Sequence, residues 1–238
     1  RYLLVVTLHK GLDLANCMAT TQKARINLAP RSQAARIDQI SDRLISPSTQ
    51  LFRAKFPDSV EARLEAAVER ISQPTEDFRG TFIIAPRGGG KSQSLFELGI
   101  RILDNNCSLE DRIILPIFVK CSDWSWGGEL KNVLEETEKS AKENLQKLLN
   151  RLSQPPINHT WDKNRRNLEK LSKVLQKNPI NVMGQSLSEI IKRLKTHEIH
   201  LILMFEDFDK QPDENCISYL SFGQNVLNEW SVNSVFTM

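Results

Sequence analysis

The sequence predicts an α/β fold: a three-layer sandwich around a mostly parallel central sheet, carrying a large helical insert. Three observations predict it. A β-rich run, Thr81 to Ala85, passes through a glycine-rich turn directly into a helix-patterned segment, Ser92 to Leu103. A second apolar run, Leu201 to Phe205, stops abruptly in carboxylates. Between the two, residues 128–198 hold leucines at helical spacing and no β-rich run.

The chain has 238 residues, enough for one such domain plus an extension. With 40% hydrophobic and 26% charged residues, wholesale disorder is excluded. A net charge of +3 points to no particular partner, so a nucleic-acid case must rest on a local cluster. No apolar run approaches the roughly 18 residues of a membrane helix, so no membrane partner is expected. Arg1 to Leu8 is basic and then apolar, but the run stops at His9 and Lys10, too short for a secretory signal. The four cysteines (Cys17, Cys107, Cys121, Cys216) are far apart and form no CxxC pair, which reads as the reduced thiols of a cytoplasmic protein. The four histidines are equally scattered and give a zinc site no support.

Taken in order, residues 1–57 form an N-terminal extension of unassigned role, with a strand at Tyr2 to Leu8 and a helix near Ala34 to Ile45. Residues 58–238 form the core domain. It opens on a helix: Asp58 caps it, Glu61 completes a capping box, and Val60, Leu64, Val68 and Ile71 make one apolar stripe that ends before Pro74. After the strand–turn–helix unit, Ile113 to Val119 is a strand whose Pro116 places it at an edge or a bulge. The insert follows. Leu130, Val133 and Leu134 start a helix that Leu145, Leu148, Leu149 and Leu152 continue. Pro155-Pro156 break the chain, Leu168, Leu171 and Leu175 mark a second helix, and Leu187, Ile190, Ile191 and Leu194 a third. Ile199 to Phe205 is the next strand, Ile217 to Trp230 a helix, and Val232 to Met238 a last strand.

The glycine-rich turn is Ala85-Pro86-Arg87-Gly88-Gly89-Gly90-Lys91-Ser92. It matches G-x-x-x-x-G-K-[ST] at every position but the first, where Ala stands for Gly. Small residues let the backbone curl so that successive N–H groups face phosphate oxygens, and the following helix adds its positive end to the same anion. Lys91 reaches the β- and γ-phosphates, and the Ser92 hydroxyl can ligate Mg²⁺. Ala85 through Gln93 are therefore the candidate nucleotide-binding residues, with Lys91 also catalytic.

The acidic strand end is Glu206-Asp207-Phe208-Asp209. Ligands of open α/β sheets sit at the carboxyl ends of strands, so these acids are expected to face the same phosphates. With Phe205 as the last strand residue, Glu206 is the metal ligand beside Ser92, and Asp207 orients or deprotonates the attacking water. A shift of one residue makes Asp207 the ligand. Asp209 is a supporting candidate.

The loop APRGGGKS, the strand LILMFEDFD and a further strand between them resemble the P-loop ATPases of the additional-strand, catalytic-acid division. The acid-acid-apolar-acid run is most similar to that of the STAND signalling NTPases and the related archaeal-type, KAP-type and origin-recognition AAA+-like ATPases. The usual first acid of that motif is Asp; here it is Glu206. The resemblance covers about Asp58 to Met238 and implies a P-loop NTPase that binds and hydrolyses ATP with Mg²⁺, working as a nucleotide-driven switch that self-assembles through its ATPase domain. It also implies a fifth core strand and a helical lid beyond the last strand seen here, so the chain is expected to be a fragment.

Two other classes compete. A nucleic-acid motor of helicase or terminase kind would use the basic segment from Ala141 to Lys177, with Trp161 to stack on a base. A solvated helical face explains that segment better, and motors usually carry Asp-Glu after the acid strand. A nucleotide-binding scaffold that does not hydrolyse is the third reading.

Overall fold

The computed structural model describes residues 4–8, 58–73, 79–85, 90–105, 112–121, 130–152, 180–212 and 229–238, together with residues 173, 176, 177, 216, 219–221 and 226. The elements in chain order are β1 (Leu4–Leu8), α1 (Asp58–Ile71), β2 (Arg79–Ile84), α2 (Lys91–Asn105), β3 (Ile113–Lys120), α3 (Leu130–Leu152), α4 (Leu187–Lys195), β4 (Ile199–Glu206), a 3₁₀ turn (Phe208–Lys210) and β5 (Asn233–Thr237). The mixed α/β class is as expected from the sequence.

The sheet has five strands in the order β1-β2-β5-β4-β3. β2, β5, β4 and β3 are mutually parallel, and β1 joins β2 antiparallel with Leu4 opposite Ile84. The strand expected near the N-terminus therefore adds to the core sheet. The helix expected near Ala34 lies outside the described residues.

Parallel strands covered on both faces carry apolar residues at almost every position, and the pleat sends alternate ones to opposite sides. On one side, Ile113, Leu115, Ile117 and Val119 of β3 join Leu201, Leu203 and Phe205 of β4 in a core with Val133, Leu145, Ile190 and Leu194. On the other, Ile114 and Phe118 join Ile202, Met204 and Val235 against Leu64, Val68, Leu95 and Leu98. Helices α1 and α2 thus cover one face and α3 and α4 the other, giving three layers.

Pro116 is tolerated because β3 is the last strand of the sheet, where a missing ladder donor costs least. Gly99 lets α2 approach the sheet: a Cβ there would lie 3.0 Å from Phe118 Cζ. Between α1 and α2, Arg101 bonds Glu97 Oε1 at 3.0 Å and also engages Glu61. Glu61 thus holds the neighbouring helix, while α1 already includes Asp58, the residue expected from the sequence to cap it. Of the region expected to be a helical insert, α3 and α4 are described, and they form the layer that covers one face of the core sheet. The apolar residues expected to mark α4, Leu187, Ile190, Ile191 and Leu194, are the ones it buries. Its start is fixed by a Ser186–Glu189 capping box and by Glu138 of α3, which accepts from the Leu187 N–H at 2.9 Å. The helix expected around Leu168 to Leu175, the basic segment beyond Leu152 and Trp161 fall outside the described residues or are described only at scattered positions.

Candidate functional site at the carboxyl ends of β2, β5 and β4

Parallel pairing brings three strand ends into one row. Ile83 of β2 lies opposite Thr237 of β5, and Phe236 of β5 lies opposite Phe205 of β4. Ile84, Thr237 and Glu206 consequently end at nearly the same level, with β2 and β4 about 10 Å apart across β5. The loop strand and the acid strand converge on one edge, as the sequence predicts for a ligand site of an open sheet.

On the β2 side, Ala85 is held by its N–H, which donates to Met238 O at 3.1 Å. Ala85 does not need a positive φ, so its methyl group is tolerated where the motif has glycine. Gly90 does have a positive φ, 88°, which favours the residue without a Cβ at the point where the chain turns into α2. Lys91 opens α2 and Ser92 and Gln93 follow in its first turn. The expected loop residues Pro86, Arg87, Gly88 and Gly89 lie outside the described residues.

Lys91 folds back over the turn. Its Nζ donates to Ala85 O at 2.9 Å and pairs with Asp209 Oδ2 at 2.5 Å. Asp209, read from the sequence as a supporting residue, is thus the carboxylate that meets the loop lysine.

On the β4 side, the strand runs one residue past Phe205, so Glu206 is its last member and Asp207 the first residue of the turn. Asp207 adopts a left-handed conformation, φ 60°, which Asp tolerates better than most residues. Phe208 is fully buried and pins the turn, packing against Phe205, Tyr219 and Phe236. The apolar residue between two acids is therefore the anchor that holds both at the rim. Asp207 Oδ2 pairs with Lys210 Nζ at 2.7 Å.

Glu206 is buried, only 6% exposed, and the Ser92 hydroxyl donates to its carboxylate. Burial pushes its pKa up from the ordinary 4.5 to about 7, and Asp207 pushes the same way. The Ser92 bond, Lys210 and Lys120 pull it back down. Lys120 reaches this neighbourhood because it ends β3 opposite Glu206. Next to it, the Cys121 N–H donates to Glu206 O at 3.0 Å, and Gln211 Nε2 donates to Cys121 O at 2.6 Å. Burial and the nearby carboxylates raise the Cys121 thiol well above its usual range, so it stays protonated and is a packing group.

The structure thus brings together Lys91, Ser92, Glu206, Asp207 and Asp209. Sequence reasoning missed Lys120, Lys210 and Thr237. Lys210 carried a local signal, three residues after Asp207. Lys120 and Thr237 enter through strand register, which no local pattern encodes.

Among the described residues, no group of three or more His, Cys, Asp or Glu side chains could hold a metal ion, and no helix is long and apolar enough to cross a membrane. A transition-metal cage does not fit. A hard divalent ion does, because Mg²⁺ takes few protein oxygens, one carboxylate and one hydroxyl being enough when phosphates and water complete the shell. No family model, curated protein or solved structure matches this chain in comparison.

Proposed function

We propose that this chain is the nucleotide-binding core of a Mg²⁺-dependent ATPase of the STAND or AAA+-like kind, a switch that changes its assembly with the nucleotide it holds. The observation that carries the reading is the 2.5 Å ion pair between Lys91 Nζ and Asp209 Oδ2, which joins the first turn of the glycine-loop helix to the acidic turn after β4. The strand order supports the same reading, since β5 stands between the loop strand β2 and the acid strand β4.

In this reading Lys91 leaves Asp209 and turns to the β- and γ-phosphates. Ser92 and Glu206 would hold the metal, which would supply charge neutralisation on the phosphate oxygens. Asp207, one residue further along, orients water and accepts its proton. The N-terminal turn of α2 holds phosphate by its backbone N–H groups and dipole. Lys91→Ala tests the assignment by calorimetry with Mg²⁺–ATP: most affinity is lost in the variant, and equal affinity in both chains would reject it.

One observation favours a second reading, a nucleotide-binding scaffold without turnover. Asp207 is already paired with Lys210 at 2.7 Å, so it must share or give up that ion pair to hold a water. Phosphate release measured alongside binding separates the two.

A further inference from the structure

At the opposite end of the sheet, a pocket opens between the amino ends of β3, β4 and β5 and the C-terminal ends of α1 and α4. It is lined by Ser72, Arg112, Lys195, His200 and Asn233, with Ile71 and Ile202 among its apolar walls. His200 and Glu206 lie six residues apart on β4, so the pocket is about 20 Å from the nucleotide edge. Its cavity volume is ≈20 Å³, small and open to solvent on one side.

Among the described residues, the charged side chains lining the pocket are cations. Arg112 and Lys195 both border it, and neither pairs with a carboxylate among the described residues. Lys195 Nζ donates only to the Ser231 carbonyl, at 2.9 Å. Among the described residues, the acid beside the pocket is Glu198, 60% exposed and 3.8 Å from His200 Nε2. Burial lowers the pKa of His200, and Lys195 and Arg112 lower it further against the pull of Glu198.

The pocket also contains polar atoms that need a ligand's hydrogen bonds. Ser72 and Asn233 are each only 7% exposed, and Ser72 Oγ, Asn233 Oδ1 and His200 Nε2 are buried without hydrogen-bond partners among the described residues. The orientation of the Asn233 amide is settled by its neighbours: Nδ2 donates to Ile71 O at 2.6 Å and Gln73 O at 3.3 Å, both carbonyls. Its Oδ1 can only accept, so the group that satisfies it must carry a proton. A guanidinium fork and an ammonium suit a tetrahedral oxyanion. A hydroxyl on that same anion would satisfy Asn233.

We infer that this pocket is a second anion site, built for a small protonated oxyanion of the hydrogen phosphate class and separate from the nucleotide site. Arg112 and Lys195 supply the charge, Ser72 donates to an anion oxygen, and Asn233 accepts from the anion's hydroxyl. Sulfate has the same shape and no proton at neutral pH, so it satisfies the cations but not Asn233.

The test uses the full chain carrying Lys91→Ala, which removes the glycine loop as a competing phosphate site. Inorganic phosphate, sulfate and chloride are compared at equal ionic strength by thermal melting and by the NMR signals of the His200 ring. Phosphate is expected to raise the melting temperature and shift the His200 signals, with a smaller effect from sulfate. Arg112→Gln and Lys195→Gln should each weaken phosphate binding by about tenfold or more, the scale of losing one charged hydrogen bond. A pocket that holds only water gives no phosphate response and overturns the proposal, as does a response that survives both substitutions. Equal phosphate and sulfate effects overturn the role of Asn233. Because the His200 signals are read before either cation is replaced, a variant that fails to fold does not decide the matter. The nucleotide assignment stands or falls separately, on ATP binding by the chain with Lys91 intact.

Discussion

Replacing Glu206 by Gln should stabilise the metal-free protein, and the gain should depend on pH. A carboxyl whose folded pKa lies above its unfolded value favours folding while protonated and opposes it once charged. For Glu206 the favourable state is fully present below its ordinary pKa of 4.5 and is lost as pH rises through about 7. The shift corresponds to about 3 kcal/mol, at about 1.36 kcal/mol per pH unit. Of this, about 2.5 kcal/mol accrues between pH 5 and pH 8. Gln keeps the size of the side chain, and its Oε1 can still accept from Ser92, so little else changes.

The assay is denaturant or thermal unfolding of both chains in chelator, at pH 5 and pH 8. The difference between the two chains removes the titration of every other group. The Gln chain should gain about 2.5 kcal/mol on going from pH 5 to pH 8, a relative rise of about 5–10 °C in melting temperature for a domain of this size. A stability difference that does not change with pH, or a Gln chain less stable at pH 8 than at pH 5 relative to wild type, would refute the reasoning. The same substitution should weaken the Mg²⁺ dependence of nucleotide binding.

Three further outcomes follow from the same geometry. Asp209→Asn releases Lys91 from a partly buried ion pair, so Mg²⁺–ATP affinity should rise up to about fivefold, the scale of about 1 kcal/mol for such a pair; a fall in affinity by calorimetry would instead make Asp209 part of the bound-state site. Asp207→Asn should leave ATP binding intact and lower turnover about 10²-fold in steady-state phosphate release, the scale of losing a general base. Asn233→Ala removes the ties from β5 to the end of α1 and should cost about 1–3 kcal/mol in denaturant unfolding, with nucleotide affinity unchanged.

Much of the fold was legible because parallel strands covered on both faces announce themselves as continuous apolar runs. Ile113 to Val119 and Ile199 to Phe205 are such runs, and the structure adds one residue to each, Lys120 and Glu206. The stripe of α4 was legible for the complementary reason: four apolar residues at helical spacing bury four side chains. The order of the strands was not legible. Nothing in Asn233 to Thr237 says that this last strand slots between β2 and β4, since any apolar strand could pair with either. That placement is a property of the whole sheet, and with it go the positions of Thr237 and Lys120 at the site's edge.

The site divides in the same way. Residue types gave the candidates, because a glycine loop ending in Lys-Ser and a strand ending in acids each imply phosphate and metal chemistry. How three acids share their partners came only from packing. The buried Phe208 turns the chain so that Asp207 meets Lys210 and Asp209 meets Lys91, which leaves Glu206 at the strand end with Ser92. Under the proposed function, this pairing ranks the three acids by what each would give up on binding a nucleotide. Asp209 loses a cation that the phosphates would claim. Asp207 keeps its own lysine. Glu206 gives up a proton, because the burial that fixes its place also disfavours its charge, and a divalent ion beside Ser92 is the one ligand in this chemistry that reverses that preference.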